Sequence, residues 1–325
     1  MKRKLFRILL VVVLLLVVGI GALLAYVKIA LPNVGDAPDI KVELTPERVE
    51  RGNYLANNVM LCMDCHSTRD WTKFAGPLVP GTEGIGGEVF DQTLGFPGRY
   101  VSVNITPASL KDWTDGEIFR AITSGVSKDG RALFPIMPHP NFGKLSEEDI
   151  YAVIAYVRTL PAIESQTEKS QSDFPMNFII NTIPKPAQLA PAPPAGNTVE
   201  YGKYIATAAS CNECHTNFEK GKFIGEPFAG GREFIFPDGS ILRSANITPH
   251  ATGIGQWTED VFLQKFKQYA DSSYQYQAVQ PGQFQTVMPW TMYAKMTDQD
   301  LKAVYTYLKS LPAVESRIEK FTTPE

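Results

Sequence analysis

At 325 residues, 44% apolar and 20% charged, the chain is long enough and apolar enough for two folded domains. Its formal charge of −3 hides an asymmetry. Lys2, Arg3, Lys4, Arg7 and Lys28 supply five of the 31 basic residues, which leaves 26 against 34 acidic side chains, a formal −8, in the remainder. That acidic body argues against the basic footprint of a nucleic-acid binder and is compatible with docking on a basic partner.

The first predicted element is apolar. The run from Ile8 to Val27 carries no charge, and at about 1.5 Å per helical residue it reaches about 30 Å, the thickness of bilayer hydrocarbon. Residues 1–34 are expected to form a transmembrane anchor with its flanks, single-pass in a bacterial inner membrane. The basic residues before the run keep the N-terminus cytoplasmic and place the globular domains in the periplasm. A cleaved signal peptide starts the same way, but its apolar core is shorter, roughly 7–15 residues, and no clear A-x-A-like site follows here. Either arrangement exports the rest to a compartment that permits disulfides.

A duplication follows. "ERGNYLANNVMLCMDCH" (50–66) returns as "EYGKYIATAASCNECH" (200–215), "VNITP" (103–107) as "ANITP" (245–249) and "WTDGEIF" (113–119) as "WTEDVF" (257–262). "IMPHPNFGKLSEEDI" (136–150) pairs with "VMPWTMYAKMTDQDL" (287–301), and "AVIAYVRTLPAIES" (152–165) with "AVYTYLKSLPAVES" (303–316). From the Met-Pro pairs onward the offset is a constant 151 residues. This is two copies of one unit, over 45–165 and 198–318, joined by a proline-rich linker at 166–197 and followed by a tail at 319–325. Within the linker, "FPMNFII" is apolar enough to pack on a domain.

Each unit reads as mainly α with long connections. Ser146 ahead of Asp149 and Thr297 ahead of Asp300 mark starts of the last helices. Ile150, Val153, Ile154 and Val157, and in the second copy Leu301, Val304, Tyr305 and Leu308, mark one face of each at helical spacing. Pro161 and Pro312 end them.

All four cysteines belong to two Cys-x-x-Cys-His motifs: Cys62, Cys65 and His66, then Cys211, Cys214 and His215. A thioredoxin-type dithiol needs a βαβ setting, which is absent. A structural zinc site needs four ligands, and the duplication supplies no shared fourth. A disulfide leaves both histidines unexplained. Covalent haem c uses every member: two thioethers from the cysteines and a proximal iron ligand from the adjacent histidine. The sixth ligand expected in each copy is the methionine of the repeated Met-Pro pair, Met137 or Met288, which raises the reduction potential relative to bis-histidine ligation. The proline biases each methionine toward a loop. His139 aligns with Trp290, which cannot ligate, so a surface or satisfied structural role is expected for it. His250 is likewise expected to be a non-ligand.

With these motifs in order, CxxCH…NITP…W…MP…AYVRTLP, the chain resembles class I cytochrome c domains of the diheme and triheme kind. That group includes the cytochrome subunits of membrane-associated alcohol and gluconate dehydrogenases. The resemblance covers nearly all of the exported chain and implies a fold of tandem cytochrome c domains behind a transmembrane helix. It implies that Gly52 and Tyr54 meet the helix bearing Tyr156, and Gly202 and Tyr204 the helix bearing Tyr307. It implies that Asn104 and Trp113, with Asn246 and Trp257, hold haem propionates or line the pockets; turn formation and core packing are the alternatives. Pro77 and Pro227 are candidates for the carbonyls that orient His66 and His215. The dehydrogenase subunits carry three haem sites and this chain has two motifs. An insertion, "KQYADSSYQYQAVQPGQF" (267–284), also lengthens the second unit before Met288; it suits an interface or an ordinary loop equally.

The function expected from these residues is single-electron relay by two haem c groups, without catalysis of its own. The expected partners are a quinol-oxidising complex, a dehydrogenase or a terminal oxidase. The first alternative is the electron-accepting subunit of a membrane-associated dehydrogenase or a respiratory supercomplex. The second is a diheme peroxidase, which needs one open iron and is disfavoured by the paired methionines.

Overall fold

The computed structural model describes residues 2–195, 198–271 and 273–324. Met1 of the expected anchor, Gly196 and Asn197 of the expected linker, Ser272 of the insertion and Glu325 of the expected tail lie outside the described residues. Helix α1 (Lys2–Ile29) is solvent-facing along its apolar length and is long and apolar enough to cross a membrane.

In the first unit, α2 (Pro46–Tyr54) starts at Thr45, whose Oγ1 accepts the Arg48 amide, with Pro46 at the first helical position. Helix α3 (Asp115–Ser124) opens on a complete capping box between Thr114 and Glu117 and stops at Gly125, whose φ of 72° suits glycine. Helix α4 (Glu147–Thr159) starts at Ser146 as expected and ends ahead of Pro161. The second unit repeats the plan with α5 (Thr198–Ala208), α6 (Glu259–Lys267) and α7 (Asp298–Ser310).

Glycine sets how closely the helices of a pair approach. A Cβ on Gly52 would lie 1.8 Å from the carbonyl oxygen of Ala152, and one on Gly202 would lie 1.9 Å from that of Ala303. No other residue fits either crossing. Around these crossings Leu55, Ile150 and Ile154, with Ile205 and Leu301 in the second unit, are fully buried. Burying each such side chain contributes roughly 1.5–3 kcal/mol.

Two small sheets escaped the helical reading. Antiparallel β1 (Val89–Phe90), β2 (Gly98–Val101) and β3 (Gln171–Ser172) form one. A short hairpin, β4 (Phe218–Glu219) and β5 (Lys222–Phe223), precedes the other sheet of β6 (Glu233–Ile235), β7 (Ile241–Arg243) and β8 (Phe321–Thr322). Strand β3 lies in the expected linker and β8 in the expected tail, so each unit continues past its last helix to close a sheet. The linker then runs along the first unit, where the Gln188 amide donates to Gly143 O at 2.7 Å. The two- to four-residue strands carry too short an alternation to register in sequence.

The units lock across a pseudo-twofold relation. Tyr54 Oη donates to Asp300 at 2.5 Å and accepts the Thr297 amide; Tyr204 Oη donates to Asp149 at 2.6 Å and accepts the Ser146 amide. The tyrosine of one unit thus stands in for the returning side chain of a capping box at the other unit's last helix. Gly52 and Gly202 meet the helices expected of them, whereas the two tyrosine hydroxyls reach the opposite unit. Arg51 adds a bidentate pair to Asp149, at 2.8 and 3.0 Å. The insertion is also an inter-unit clasp. Its Gln277 and Val279 exchange backbone hydrogen bonds with Phe74 and Thr72, and the Gln285 amide bonds the backbone of Trp71, Lys73 and Ala75.

Candidate cofactor-binding sites

Each Cys-x-x-Cys pair occupies one helical turn, 62–65 and 211–214, entered through a left-handed residue: Leu61 at φ 58° and Ser210 at φ 53°. A non-glycine residue rarely adopts this conformation, and the same strain at the same place in both copies marks a functional constraint. The turn sets both thiols on one face, and the following histidine closes it through His66 N to Cys62 O and His215 N to Cys211 O, both 2.9 Å.

The imidazoles are held alike. Nδ1 of His66 lies 2.7 Å from Val103 O and Nδ1 of His215 lies 2.7 Å from Ala245 O. A carbonyl only accepts, so Nδ1 carries the proton and Nε2 keeps its lone pair. Burial lowers the pKa of both rings despite these bonds, so the neutral, ligand-competent form prevails. The orienting carbonyls are therefore not those of Pro77 and Pro227. Pro77 O instead accepts the Asp70 amide at 2.9 Å. The carbonyls in use immediately precede Asn104 and Asn246, where the repeated NIT motif was the available signal.

Burial pushes the thiols of Cys62, Cys65 and Cys211 up to about 12 and raises that of Cys214. They are accessible only in part (Cys214 more so) because they face a cavity, and the bulk of protein around them still disfavours a thiolate. A reactive dithiol needs the opposite shift.

Met137 and Met288 precede an inverse γ-turn centred on Pro138 (φ −77°, ψ 52°) and Pro289 (φ −80°, ψ 60°). His139 N donates to Met137 O at 2.7 Å and Trp290 N to Met288 O at 2.8 Å. The loop expected from the proline is thus a defined turn that presents each methionine to the cavity.

Asn104 and Asn246 border the same cavity, but their amides are spent on the chain. Asn104 Nδ2 donates to Ile163 O and Ser165 Oγ, and its Oδ1 accepts the Thr106 amide. Asn246 Nδ2 donates to Val314 O and Thr252 Oγ1, and its Oδ1 accepts the Thr248 amide. Both clamp the segment after the last helix onto the NITP turn, which favours turn formation among the expected roles. Trp113 and Trp257 line the cavity, with backbone carbonyls held by Arg158 at 2.5 Å and Tyr305 at 2.8 Å. His250 Nδ1 is hydrogen-bonded by the Thr252 hydroxyl and amide. His139 departs from expectation: it is 1% exposed, packed on Gly125, with Nε2 unpartnered and its pKa lowered to about 4 by burial. The constriction opposite Gly125, invisible in sequence, holds it inside.

The cavity is continuous and measures about 3140 Å³; its walls include both Cys-x-x-Cys-His motifs, both methionines and both tryptophans. Apolar walls, paired neutral thiols, a histidine with a free Nε2 and a thioether fit covalently held haem c. Arginines also line the cavity, Arg69 and Arg232 among them, which the sequence did not single out. Arg69 pairs with buried Asp64 at 2.9 Å and stacks on Trp71, and Arg232 lies over Phe218 and Phe234.

Residues 199–312 match the cytochrome c family. This is a cytochrome c domain. The chain as a whole is similar to the cytochrome c subunit of a quinone-type alcohol dehydrogenase from Gluconacetobacter polyoxogenes, 28% identical over 82% of this chain and 56% of the relative. It is similar to the gluconate 2-dehydrogenase cytochrome c subunit of Pantoea cypripedii, 26% identical over 84% of this chain and 62% of the relative. It is also similar to a diheme cytochrome c-type protein of Cereibacter sphaeroides, 26% identical over 78% of this chain and 83% of the relative. The chain spans little more than half the length of its alcohol dehydrogenase relatives.

Proposed function

We propose that the protein is a membrane-anchored diheme cytochrome c that relays single electrons on the periplasmic side. The carrying observation is the repetition, in both units, of a half-buried imidazole pinned through Nδ1 beside two thiols, on the wall of a cavity that a γ-turn methionine also lines. In this reading Cys62, Cys65, Cys211 and Cys214 form thioethers, His66 and His215 ligate through Nε2, and Met137 and Met288 supply the sixth ligands. Each bound haem c contributes a one-electron iron couple. The protein's own part is positional. Val103 O and Ala245 O fix ring orientation, which raises ligand basicity, as outer-shell partners do at other metal sites. The apolar walls exclude water and so keep reorganisation small.

The acidic body would dock on a basic surface, and helix α1 would keep the relay beside a membrane-bound donor. The similarity to cytochrome subunits of alcohol and gluconate dehydrogenases supports a dehydrogenase as that partner, with this chain as a non-catalytic electron acceptor. Covalent haem content and ferric spectra of the purified full chain test the proposal. Two haems per chain and two long-wavelength methionine–iron absorption signals are expected. One haem, or a high-spin iron, would overturn it.

A further inference from the structure

The segment 174–183, "FPMNFIINTI", has no counterpart in the duplication; its Met176, Ile179, Ile180 and Ile183 border the cavity. It folds as two tight turns, Met176–Ile179 and Ile180–Thr182, and holds apolar side chains out to solvent: Phe174 is 80% exposed and Ile179 45%. Ile179 also borders the cavity, whereas Phe174 lies outside its walls. The location of the segment gives the exposure of Phe174 a purpose. Lys28 Nζ, in the last turn of α1, donates to Asn177 O at 2.7 Å and sits 4.8 Å over the Phe178 ring. The turns are therefore fastened to the point where the apolar helix meets the globular body. Lys169 and Lys185 flank the segment and are both exposed, while the nearby Asp173 carboxylate is occupied by Gln92 at 2.7 Å.

We infer that residues 174–183 are a membrane-surface segment whose apolar side chains enter the headgroup–acyl boundary next to the exit of α1. The inference rests on the reading of α1 as a membrane anchor. An apolar face level with the end of a spanning helix, bordered by lysines, has the chemistry of an interfacial element. It would fix the tilt of the first unit toward the bilayer, where a single flexible tether would leave the unit free to tumble.

The test uses the full haem-loaded chain in nanodiscs that contain a phospholipid with a photoactivatable diazirine high on its acyl chain. After illumination, adducts are mapped by peptide mass spectrometry. The hairpin around Phe223 (44% exposed) and Ile224 (56% exposed) is the control, since it is equally apolar and far in sequence from α1. Adducts are expected on α1 and on 174–183, the latter about tenfold above the hairpin. A Phe174→Ser variant should lower the second set and keep the first. Labelled α1 with 174–183 no higher than the hairpin would overturn the inference while leaving the anchor intact. Unlabelled α1 would overturn the anchor reading and this one with it.

Discussion

The two units share a frame and differ at their edges. In both, a glycine lets two helices approach to backbone contact, a left-handed residue turns the chain into Cys-x-x-Cys, and a carbonyl ahead of an asparagine clamp receives the histidine. The differences gather where the units meet or face outward. His139 is replaced by Trp290, Phe142 by Tyr293, and the buried Asp64–Arg69 pair of the first unit by a half-buried Glu213 with Arg232 bonded to its carbonyl. Tyr293 is buried with its hydroxyl on Ala209 O at 2.6 Å, and Asn141 reaches from the first unit to Ser210 and Glu213 of the second. The duplicated motifs keep their geometry while their surroundings differ. If both sites hold haem as proposed, unequal surroundings should give them unequal potentials.

The sharpest way to break this comparison is to disable one site at a time. Replacing Cys62 and Cys65 with serine, or Cys211 and Cys214, should each halve covalent haem, read by intact mass and haemochrome absorbance. A variant that loses both haems would show that the sites are not independent. Next, Gly52→Ala and Gly202→Ala force a methyl into a carbonyl and should each cost about 3 kcal/mol or more in denaturant unfolding. Unequal costs would show that one unit yields at its crossing and the other does not.

The lock between units comes third. Tyr54→Phe or Tyr204→Phe removes one donor from a buried carboxylate that keeps another (Tyr201 on Asp300, Arg51 on Asp149), leaves a cap amide unpartnered, and should cost about 1–3 kcal/mol each. A double-mutant cycle reports whether the two act as one lock. The same contact predicts a pH response. Burial raises Tyr201, beside Asp300, from 10.0 to about 12, and raises Tyr54 and Tyr204 further. A folded-state pKa above the unfolded value means that the native state holds more protons between them. The stability is therefore complete below about pH 10 and falls as pH rises through 12. Thermal melts across that window should show the decline, and it should shrink in the two phenylalanine variants. The smallest effect concerns potential. Asp64→Asn removes a buried anion beside Cys65 and should raise the first haem's potential by about 60 mV, a tenfold change for a one-electron couple, with the second nearly unmoved. Haem-resolved redox titration decides this.

The chemistry was legible because it repeats. Two Cys-x-x-Cys-His motifs, two Met-Pro pairs and two NITP turns name their own residues by spacing, and the terminal helices announce themselves through Ser146, Thr297, Pro161 and Pro312. Local rules of this kind act over a few bonds, so the chain carries them visibly. What surrounds the motifs was decided by contacts between residues far apart in sequence. Tyr54 bonds Asp300 across 246 positions, and Gln285 reaches Trp71 across 214. Residues 166–173 read as a proline-rich linker, yet they close a sheet because β2 offers an unpaired edge. His139 read as a surface or satisfied structural residue; it is interior, packed on Gly125, with Nε2 unpartnered. The sequence by itself determined the spacing of the two Cys-x-x-Cys-His motifs and of the two Met-Pro pairs. Tertiary structure determined which carbonyl aims each histidine and how the two units lock, because a hydrogen-bond partner is chosen by position in space and carries no mark of its own in the chain.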